Sequence, residues 1–319
     1  MRKRMGIAGG VAAAVGGYVA ASAIVYDRLT RVPGGCPPSL MRNSPEWFSV
    51  PNPPEFDASP WFMPAPEAVS FPSRDDDITI SGWYIGADDP NAPAVVVVHG
   101  HMACKRDQAV LLPAGMLHRN GFAVLLIDLR DHGDSTYEDG RYAGGTEEYR
   151  DVLGAWDWLR SAKGVPAARI GLLGVSLGAA TALIATGEEP RVAATWEDSS
   201  YGSIEVAIRA ELERNHYPGF LEPAGLFVAR MLSGDDLRSR SPLAAVGKLA
   251  GRPLFITHGE ADARLDVSYA HDLDAAARGD GADVETWLVP GAGHTMAMFF
   301  HPAEYERRLV AFFQRSIGR

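Results

Sequence analysis

The sequence predicts an α/β fold built around a mostly parallel β-sheet, and three observations carry that prediction. Along residues 93–317, short β-branched and apolar runs alternate with longer runs of helical periodicity, the pattern of parallel strands joined by right-handed crossovers. A length of about 250 residues is normal for one such domain. Finally, Gly174-Val175-Ser176-Leu177-Gly178 stands between an apolar run and a small-residue helical run, at a strand-to-helix junction.

The first 30 residues are predicted to form a membrane anchor or a signal segment. Met1-Arg2-Lys3-Arg4 is basic, and residues 5–25 carry no charge, a run long enough to cross a bilayer. The basic end is expected to stay in the cytoplasm, which places the rest of the chain outside it. Ala21-Ser22-Ala23 resembles a small-residue cleavage site, so a secreted protein released by signal cleavage is the alternative. A short buried helix is the third interpretation.

Residues 31–66 are predicted to form an extended segment packed along the main domain. Ten of the 22 prolines lie in this stretch and argue against a regular helix, while its aromatic residues argue against free disorder. The main domain is expected over residues 67–319, opening with a hairpin-like strand pair at 68–71 and 78–85. Cys36 and Cys104 pair if this domain lies in an oxidising compartment, and two free buried thiols are the alternative.

Ser176 is the predicted nucleophile. G-x-S-x-G between a strand and a helix is the signature of a nucleophile elbow, a sharp turn that holds the serine in a strained backbone conformation. Side chains two residues before and after the serine would collide, so Gly174 and Gly178 fit both places. The backbone N–H of Leu177 is then expected to point at the substrate. A glycine-rich turn that happens to hold a serine is the competing interpretation.

A serine nucleophile needs a base and a carboxylate that orients the base. Asp262 is the first aspartate after the predicted strand at 254–257, and His294 lies in a glycine-rich loop after the predicted strand at 284–289. The chain order of serine, acid and histidine is the one this elbow requires. Glu260 and Asp266 are the rival acids, and Asp266 is expected to cap a helix.

The other histidines are weaker candidates for the base. Of the six rivals, three precede Ser176, which is the wrong chain order. One ends a strand and is expected to support the loop that carries Asp262, and two fall in or at helical runs. These are, in that order, His99, His101 and His132, then His258, then His271 and His301.

Between the predicted strands at 192–196 and 254–257, the sequence pattern becomes helical and amphipathic. We expect a small helical cap at about residues 199–240 that roofs the substrate pocket. Its apolar content favours an apolar acyl or alcohol group. Ordinary surface helices are the alternative interpretation.

Five ordered motifs over about residues 75–317 resemble the α/β-hydrolase superfamily, in its serine esterase, monoacylglycerol lipase and serine aminopeptidase-like branch. They are the valine run ending in His99-Gly100, the stretch from Asp128 to Ser135, the elbow, His258-Gly259-Glu260-Ala261-Asp262, and Gly291-Ala292-Gly293-His294. The resemblance implies an eight-stranded, mostly parallel sheet with helices on both faces. It also implies an oxyanion hole made by the backbone of His101, with Met102 next in line, and of Leu177. In similar enzymes the polar stretch after Asp128 ties down the loop beneath the site.

These expectations together favour a serine hydrolase, most simply a carboxylesterase acting on a small-molecule ester or amide through Ser176, His294 and Asp262. A serine peptidase or lipid hydrolase of the same fold is the alternative, and a membrane-tethered binding protein without activity is the alternative from another class. A net charge of −10 without a basic patch argues against nucleic-acid binding. No metal-ligand spacing, phosphate loop or dinucleotide fingerprint is present in the sequence, so no cofactor is expected. Nothing in the sequence indicates an oligomeric state.

Overall fold

The computed structural model describes residues 2–232, 234 and 236–318. Met1 of the predicted basic end, Ser233 and Asp235 of the predicted cap, and Arg319 at the end of the main domain lie outside the described residues. The side chains of residues 2–12 and of Leu232 also lie outside the description.

An eight-stranded sheet forms the centre of the described chain, in the order β1-β2-β4-β3-β5-β6-β7-β8. The strands are β1 (Glu67–Pro72), β2 (Thr79–Ile85), β3 (Ala94–Val98), β4 (Ala123–Ile127), β5 (Ile170–Val175), β6 (Ala194–Asp198), β7 (Pro253–Gly259) and β8 (Asp283–Val289). β2 runs antiparallel to both β1 and β4, and all other neighbours are parallel. The predicted fold class is confirmed. β6 starts two residues later than the apolar run at 192–196, so Glu197 and Asp198 belong to the strand.

Helices cover both faces of the sheet. They are α1 (Arg2–Thr30), α2 (Gln108–His118), α3 (Tyr149–Ala162), α4 (Leu177–Glu188), α5 (Ile204–Arg214), α6 (Glu222–Leu232), α7 (Pro242–Val246), α8 (Ser268–Gly279), α9 (Ala297–Phe300) and α10 (Pro302–Ile317). Strand side chains alternate between faces, so Val95 and Val97 of β3 join the core with α2 and α10. Val96 and Val98 join the opposite core with α3 and α4. This two-faced burial explains why the predicted strands are continuous apolar runs.

The connection from β6 to β7 carries α5 and α6, at the place where the sequence predicts a cap. The C-terminal half of α1 packs on these helices: Val25 is buried together with Leu212 and Leu221. The Tyr18 hydroxyl also donates to the Phe220 carbonyl at 2.6 Å. Among the described residues, no helix combines the length and the hydropathy needed to cross a membrane. The anchor and signal interpretations of the first 30 residues stay predictions.

The proline-rich segment that follows α1 is held against the domain by side chains and by a disulfide. Phe48 is buried in the core beside α2, and the Trp61 indole donates to Glu306 of α10 at 2.9 Å. Cys36 and Cys104 form a disulfide, which joins this segment to the loop after β3. The segment therefore reaches the loop for which the resemblance implies an oxyanion hole.

Candidate active site

Ser176 occupies the sharp turn between β5 and α4. Its backbone φ of +56° and ψ of −118° lie in a region of conformational space that residues other than glycine rarely adopt, so the turn is strained. A Cβ at Gly174 would lie 2.1 Å from the Gly178 carbonyl oxygen, and one at Gly178 would lie 2.3 Å from that of Val98. Only glycine fits either place, and the strand and helix can therefore meet closely enough to lift Ser176 above the sheet edge.

His294 and Asp262 lie on the loops after β8 and β7, at the same edge of the sheet as Ser176. The His294 Nε2 is 2.9 Å from the Ser176 Oγ, and its Nδ1 is 2.7 Å from the Asp262 Oδ2. The structure thus brings together the three side chains that the sequence singles out, in one continuous hydrogen-bonded chain.

Asp262 is held in place from three directions. The backbone N–H groups of Arg264 and Leu265 donate to its Oδ1 at 2.8 and 2.9 Å, and the His258 Nε2 lies 3.3 Å from its Oδ2. Burial by itself would raise the pKa of Asp262, but the hydrogen bonds from His258 and His294 outweigh it and hold the pKa well below its usual range. The carboxylate therefore stays ionised beside His294 at neutral pH.

The rival acids point elsewhere. Glu260 is exposed, and Asp266 is an exposed residue whose carboxylate accepts the Ser268 N–H at 2.9 Å, at the start of α8. Neither has a hydrogen bond to His294 among the described contacts. Two of the rival histidines have structural partners. His99 accepts the Leu129 N–H at 3.1 Å, and His258 donates to the Leu265 carbonyl at 2.8 Å.

The loop after β3 lies against the elbow. A Cβ at Gly100 would lie 3.3 Å from that of Ser176, so the backbone approaches the serine closely. Met102 has a φ of +56°, a strained value for a non-glycine residue. The backbone N–H groups of His101, Met102 and Leu177 have no acceptor among the described residues. Unpaired N–H groups on both sides of a serine are what an oxyanion hole requires.

The polar stretch after β4 serves as scaffolding in this structure. Asp128 is fully buried and accepts hydrogen bonds from the Lys105 N–H at 2.7 Å and the Asp134 N–H at 2.8 Å, and it pairs with the Lys105 ammonium. Arg130 forms a buried ion pair with Asp151 at 2.8 Å. Within the described part of the chain, no cluster of His, Cys, Asp and Glu is arranged to hold a metal ion.

Sequence reasoning missed a group of buried polar residues at the end of β6. Asp198 accepts a hydrogen bond from the Tyr305 hydroxyl at 3.0 Å, and its backbone carbonyl accepts the Ser176 N–H at 2.8 Å. The Ser199 hydroxyl accepts the Thr295 N–H at 3.2 Å, next to His294. Burial raises the pKa of Glu197 to about 8, so this carboxyl is largely protonated at neutral pH. The available signal was a pair of acidic residues directly after an apolar run.

A cavity of about 360 Å³ opens in front of Ser176. Its lining includes His101, Tyr142, Leu177 and Tyr201, together with charged side chains from the end of α1, from α5 and from the loop that carries Asp262. Burial first, and then the charges of His132 and Arg264, lower the pKa of His101 to about 3, so its imidazole is neutral. The segment predicted as a cap contributes Tyr201 and Ala207 to this lining but also Glu211, Arg214 and Asn215, so the apolar lining expected from its sequence is only partly present. That α1 forms part of it could not be predicted from local sequence.

Comparison with known proteins agrees with this geometry. The sequence profile of the prolyl oligopeptidase family matches residues 113–319. An uncharacterized protein of Mycobacterium tuberculosis is 30% identical over 224 residues, 69% of this chain and 69% of that protein. An esterase of Pyrococcus furiosus superposes with a TM-score of 0.65 at 21% identity, over 90% of this chain and 99% of that chain.

A second solved structure of the same fold is an acylaminoacyl peptidase of Pyrococcus horikoshii. It superposes with a TM-score of 0.59 at 20% identity, over 79% of this chain and 42% of that chain. At such identities the solved structures show the shared fold, and the family profile covers well over half of the chain. The chain belongs to the prolyl oligopeptidase family of α/β hydrolases.

Proposed function

We propose that this protein is a serine hydrolase that cleaves carboxylic esters through an acyl-enzyme. The observation that carries the proposal is the hydrogen-bonded chain from the Ser176 Oγ through His294 to Asp262, at 2.9 and 2.7 Å. A neutral imidazole within hydrogen-bond distance of a hydroxyl can take its proton, and a fixed carboxylate behind it stabilises the imidazolium that forms.

In the acylation half of the reaction, the Ser176 Oγ attacks the carbonyl carbon of the ester while its proton moves to the His294 Nε2. The negative charge that develops on the carbonyl oxygen is met by the unpaired N–H groups of Leu177 and of His101, with Met102 next in line. When this intermediate collapses, His294 returns the proton to the departing alcohol. A water molecule, deprotonated by His294, then hydrolyses the acyl-enzyme and restores Ser176.

The peptidase alternative is favoured by one specific observation, the match to the prolyl oligopeptidase family over residues 113–319. The same catalytic groups cleave esters and amides, so the choice depends on the pocket rather than on the triad. We place esters first because the P. furiosus esterase shares the fold over nearly its whole length, whereas the P. horikoshii peptidase is matched over 42% of its chain. A lipid hydrolase of the same fold is the other enzymatic alternative.

The first experiment is active-site labelling of the purified full-length protein with a fluorophosphonate. Labelling of the native protein and its loss in Ser176→Ala are expected, with turnover of a p-nitrophenyl ester reduced by roughly 10³-fold or more. Ser161→Ala, an exposed serine on α3, is the matched control and should label normally. Undiminished labelling of Ser176→Ala would place the nucleophile elsewhere, and a native protein that neither labels nor turns over substrate would favour the binding-protein alternative.

A substrate panel then separates the enzymatic alternatives. It comprises p-nitrophenyl esters of rising chain length, aminoacyl anilides and monoacylglycerols. A kcat/KM for the best ester that exceeds that for every anilide supports the esterase assignment. The reverse order would establish a peptidase.

We further propose that the protein works outside the cytoplasm, tethered by its first 30 residues or secreted after cleavage. The Cys36–Cys104 disulfide supports this, because disulfides persist mainly in oxidising compartments. Intact mass of the native protein separates the two versions, since cleavage removes about 23 residues. Protease treatment of intact cells should degrade a tethered catalytic domain. A full-length protein protected from protease and carrying two alkylatable thiols would contradict both versions.

A further inference from the structure

The charged residues around the cavity in front of Ser176 are mostly cationic. Four arginines and one glutamate contribute to its lining, namely Arg28, Arg31, Arg214 and Arg264 with Glu211. The chain as a whole carries a net charge of −10. The charged residues that line this cavity are therefore mostly of the opposite sign to the net charge of the chain.

The available carboxylates neutralise only part of the positive charge of these arginines. Arg31 is paired with Asp27 at 2.7 Å, and Arg214 is paired with Glu211. The same Glu211 carboxylate is the one acid near Arg264, at 4.0 Å, and it also accepts from Asn215. Among the described residues, Arg264 therefore has no side-chain hydrogen bond.

Arg28 is the arginine of this set that has no ion pair with a described residue. Its guanidinium donates to the Tyr217 hydroxyl at 2.9 Å and forms no ion pair with a described carboxylate. Arg28 comes from α1 and Arg264 from the loop that carries Asp262, so two remote segments bring cationic groups to one cavity. Arg264 is further fixed by its own backbone N–H, which donates to the Asp262 Oδ1 at 2.8 Å.

From this arrangement we infer that the preferred substrate is an ester that bears a carboxylate, held by Arg28 and Arg264 while its scissile carbonyl lies at Ser176. The inference rests on the proposed function and names its substrate class. A guanidinium presents a planar fork of donors that matches a carboxylate, and such charge-assisted hydrogen bonds are stronger than neutral ones. The cationic mouth would also attract an anionic substrate and raise its association rate at low salt. Uncharged lining residues such as Leu177 and Tyr201 would contact the chain that links the carboxylate to the ester.

The test compares matched pairs of esters that differ by one charge. One pair carries the charge on the acyl part, 4-nitrophenyl hydrogen adipate against 4-nitrophenyl methyl adipate. The other carries it on the leaving group, 4-carboxyphenyl acetate against its methyl ester. In at least one pair the anionic member should have a kcat/KM about tenfold or more above the neutral one at low ionic strength. Added salt should reduce this ratio.

Arg28→Gln and Arg264→Gln should each move the ratio toward one by lowering kcat/KM for the anionic ester alone. Comparing two esters within one variant separates lost recognition from a damaged triad, because damage near Asp262 lowers both values equally. Arg264→Lys should keep part of the preference. Arg307→Gln, an exposed arginine on α10 paired with Glu304, changes the net charge by the same amount and should leave the ratio unchanged.

Fluorophosphonate labelling of the same preparations distinguishes failure of the proposed function from failure of the carboxylate assignment. An enzyme that does not label contradicts the proposed function itself. An enzyme that labels normally but prefers the neutral ester in both pairs, or loses both activities equally in the two glutamine variants, overturns the carboxylate assignment and leaves the proposed function standing.

Discussion

The floor and the roof of the cavity in front of Ser176 are built in different ways. The floor consists of loops at the edge of a buried parallel sheet. The Asp262 side chain is fully buried there, and the backbone at Gly174 and Gly178 is packed too closely to accept a Cβ. The roof is the layer formed by α1 and α5, which line the cavity, and by α6, which packs on α1. The three helices meet at a small cluster around Val25, Leu212 and Leu221. Several large apolar side chains of the roof stay exposed, namely Phe220, Phe227 and Met231.

This contrast separates chemistry from selectivity. Reacting groups must be held to within a fraction of an ångström, and dense packing with buried hydrogen bonds provides that. Substrate selection needs only a surface of suitable shape and charge, which thinly packed helices can supply. Changes in the floor should therefore affect kcat or global stability, whereas changes in the roof should affect KM and leave most of the chemistry intact.

The largest expected effect comes from the acid of the floor. Asp262→Asn keeps the size of the side chain but replaces the carboxylate, so His294 loses its charged acceptor. We expect kcat to fall by roughly 10²–10⁴-fold with little change in folding. Glu260→Gln and Asp266→Asn, on the same loop, serve as controls and should lose far less. Near-normal kcat in Asp262→Asn together with a large loss in one neighbour would show that the acid is misassigned.

A pH effect is expected from Glu197 beneath the floor. In the unfolded chain this carboxyl loses its proton near pH 4.5, whereas burial raises its folded pKa to about 8. The folded state binds the proton more tightly, so stability falls as pH rises between these values. Glu197→Gln should raise the free energy of unfolding near pH 8 by on the order of a few kcal/mol, with little effect at pH 5.

Denaturant unfolding at both pH values checks this, with exposed Glu260→Gln as the control. Burial also raises the pKa of Glu148, to about 7, so the slope of stability against pH should shrink rather than vanish in Glu197→Gln. An identical slope in native protein and variant would mean that Glu197 is ionised in the folded state.

The glycines of the two regions should respond in opposite ways to the same change. Gly178→Ala places a methyl group 2.3 Å from the Val98 carbonyl oxygen, so α4 must shift against β3. A loss of about 1–3 kcal/mol in stability and reduced fluorophosphonate labelling are expected. Gly225→Ala on α6 meets nothing within 4 Å and should be neutral or stabilise by up to about 1 kcal/mol. Equal changes in melting temperature for Gly178→Ala and Gly225→Ala would contradict the inferred difference in packing density between floor and roof.

The smallest effect is expected in the roof. Val25→Thr puts a hydroxyl in the cluster that joins α1 to the cap, at a cost of about 1–2 kcal/mol if the hydroxyl stays unpaired. KM for a long-chain ester should rise a few-fold while kcat for p-nitrophenyl acetate stays within about twofold. Ile24→Thr, on the adjacent exposed position, is the matched control. A fall in kcat as large as the rise in KM would mean that α1 supports the catalytic loops directly.

The extent to which sequence predicted the site follows from where each residue lies. Ser176 could be predicted because the elbow is a local device, and the residues that permit it are within two positions along the chain. Asp262 was harder, since three carboxylates follow one strand within seven residues. They are separated only by the turn that directs the Asp262 carboxylate to His294. Asp266 accepts the Ser268 N–H instead, one residue before Val267, which is the N-cap of α8 in place of the expected Asp266. Glu197 and Asp198 were missed because the strand that carries them starts two residues later than its apolar run.

By itself the sequence determined the alternation of strands and helices, the chain order of serine, acid and histidine, and the proline-rich segment. These depend on periodicity, on backbone restrictions and on short-range turn chemistry, which neighbouring residues settle among themselves. The tertiary structure alone decided that Cys36 meets Cys104, that α1 closes the cavity, and that Arg28 and Arg264 share its mouth. Each of these contacts joins segments separated by tens to hundreds of residues. No local pattern encodes such a contact, because it follows from how completed helices and strands pack against one another.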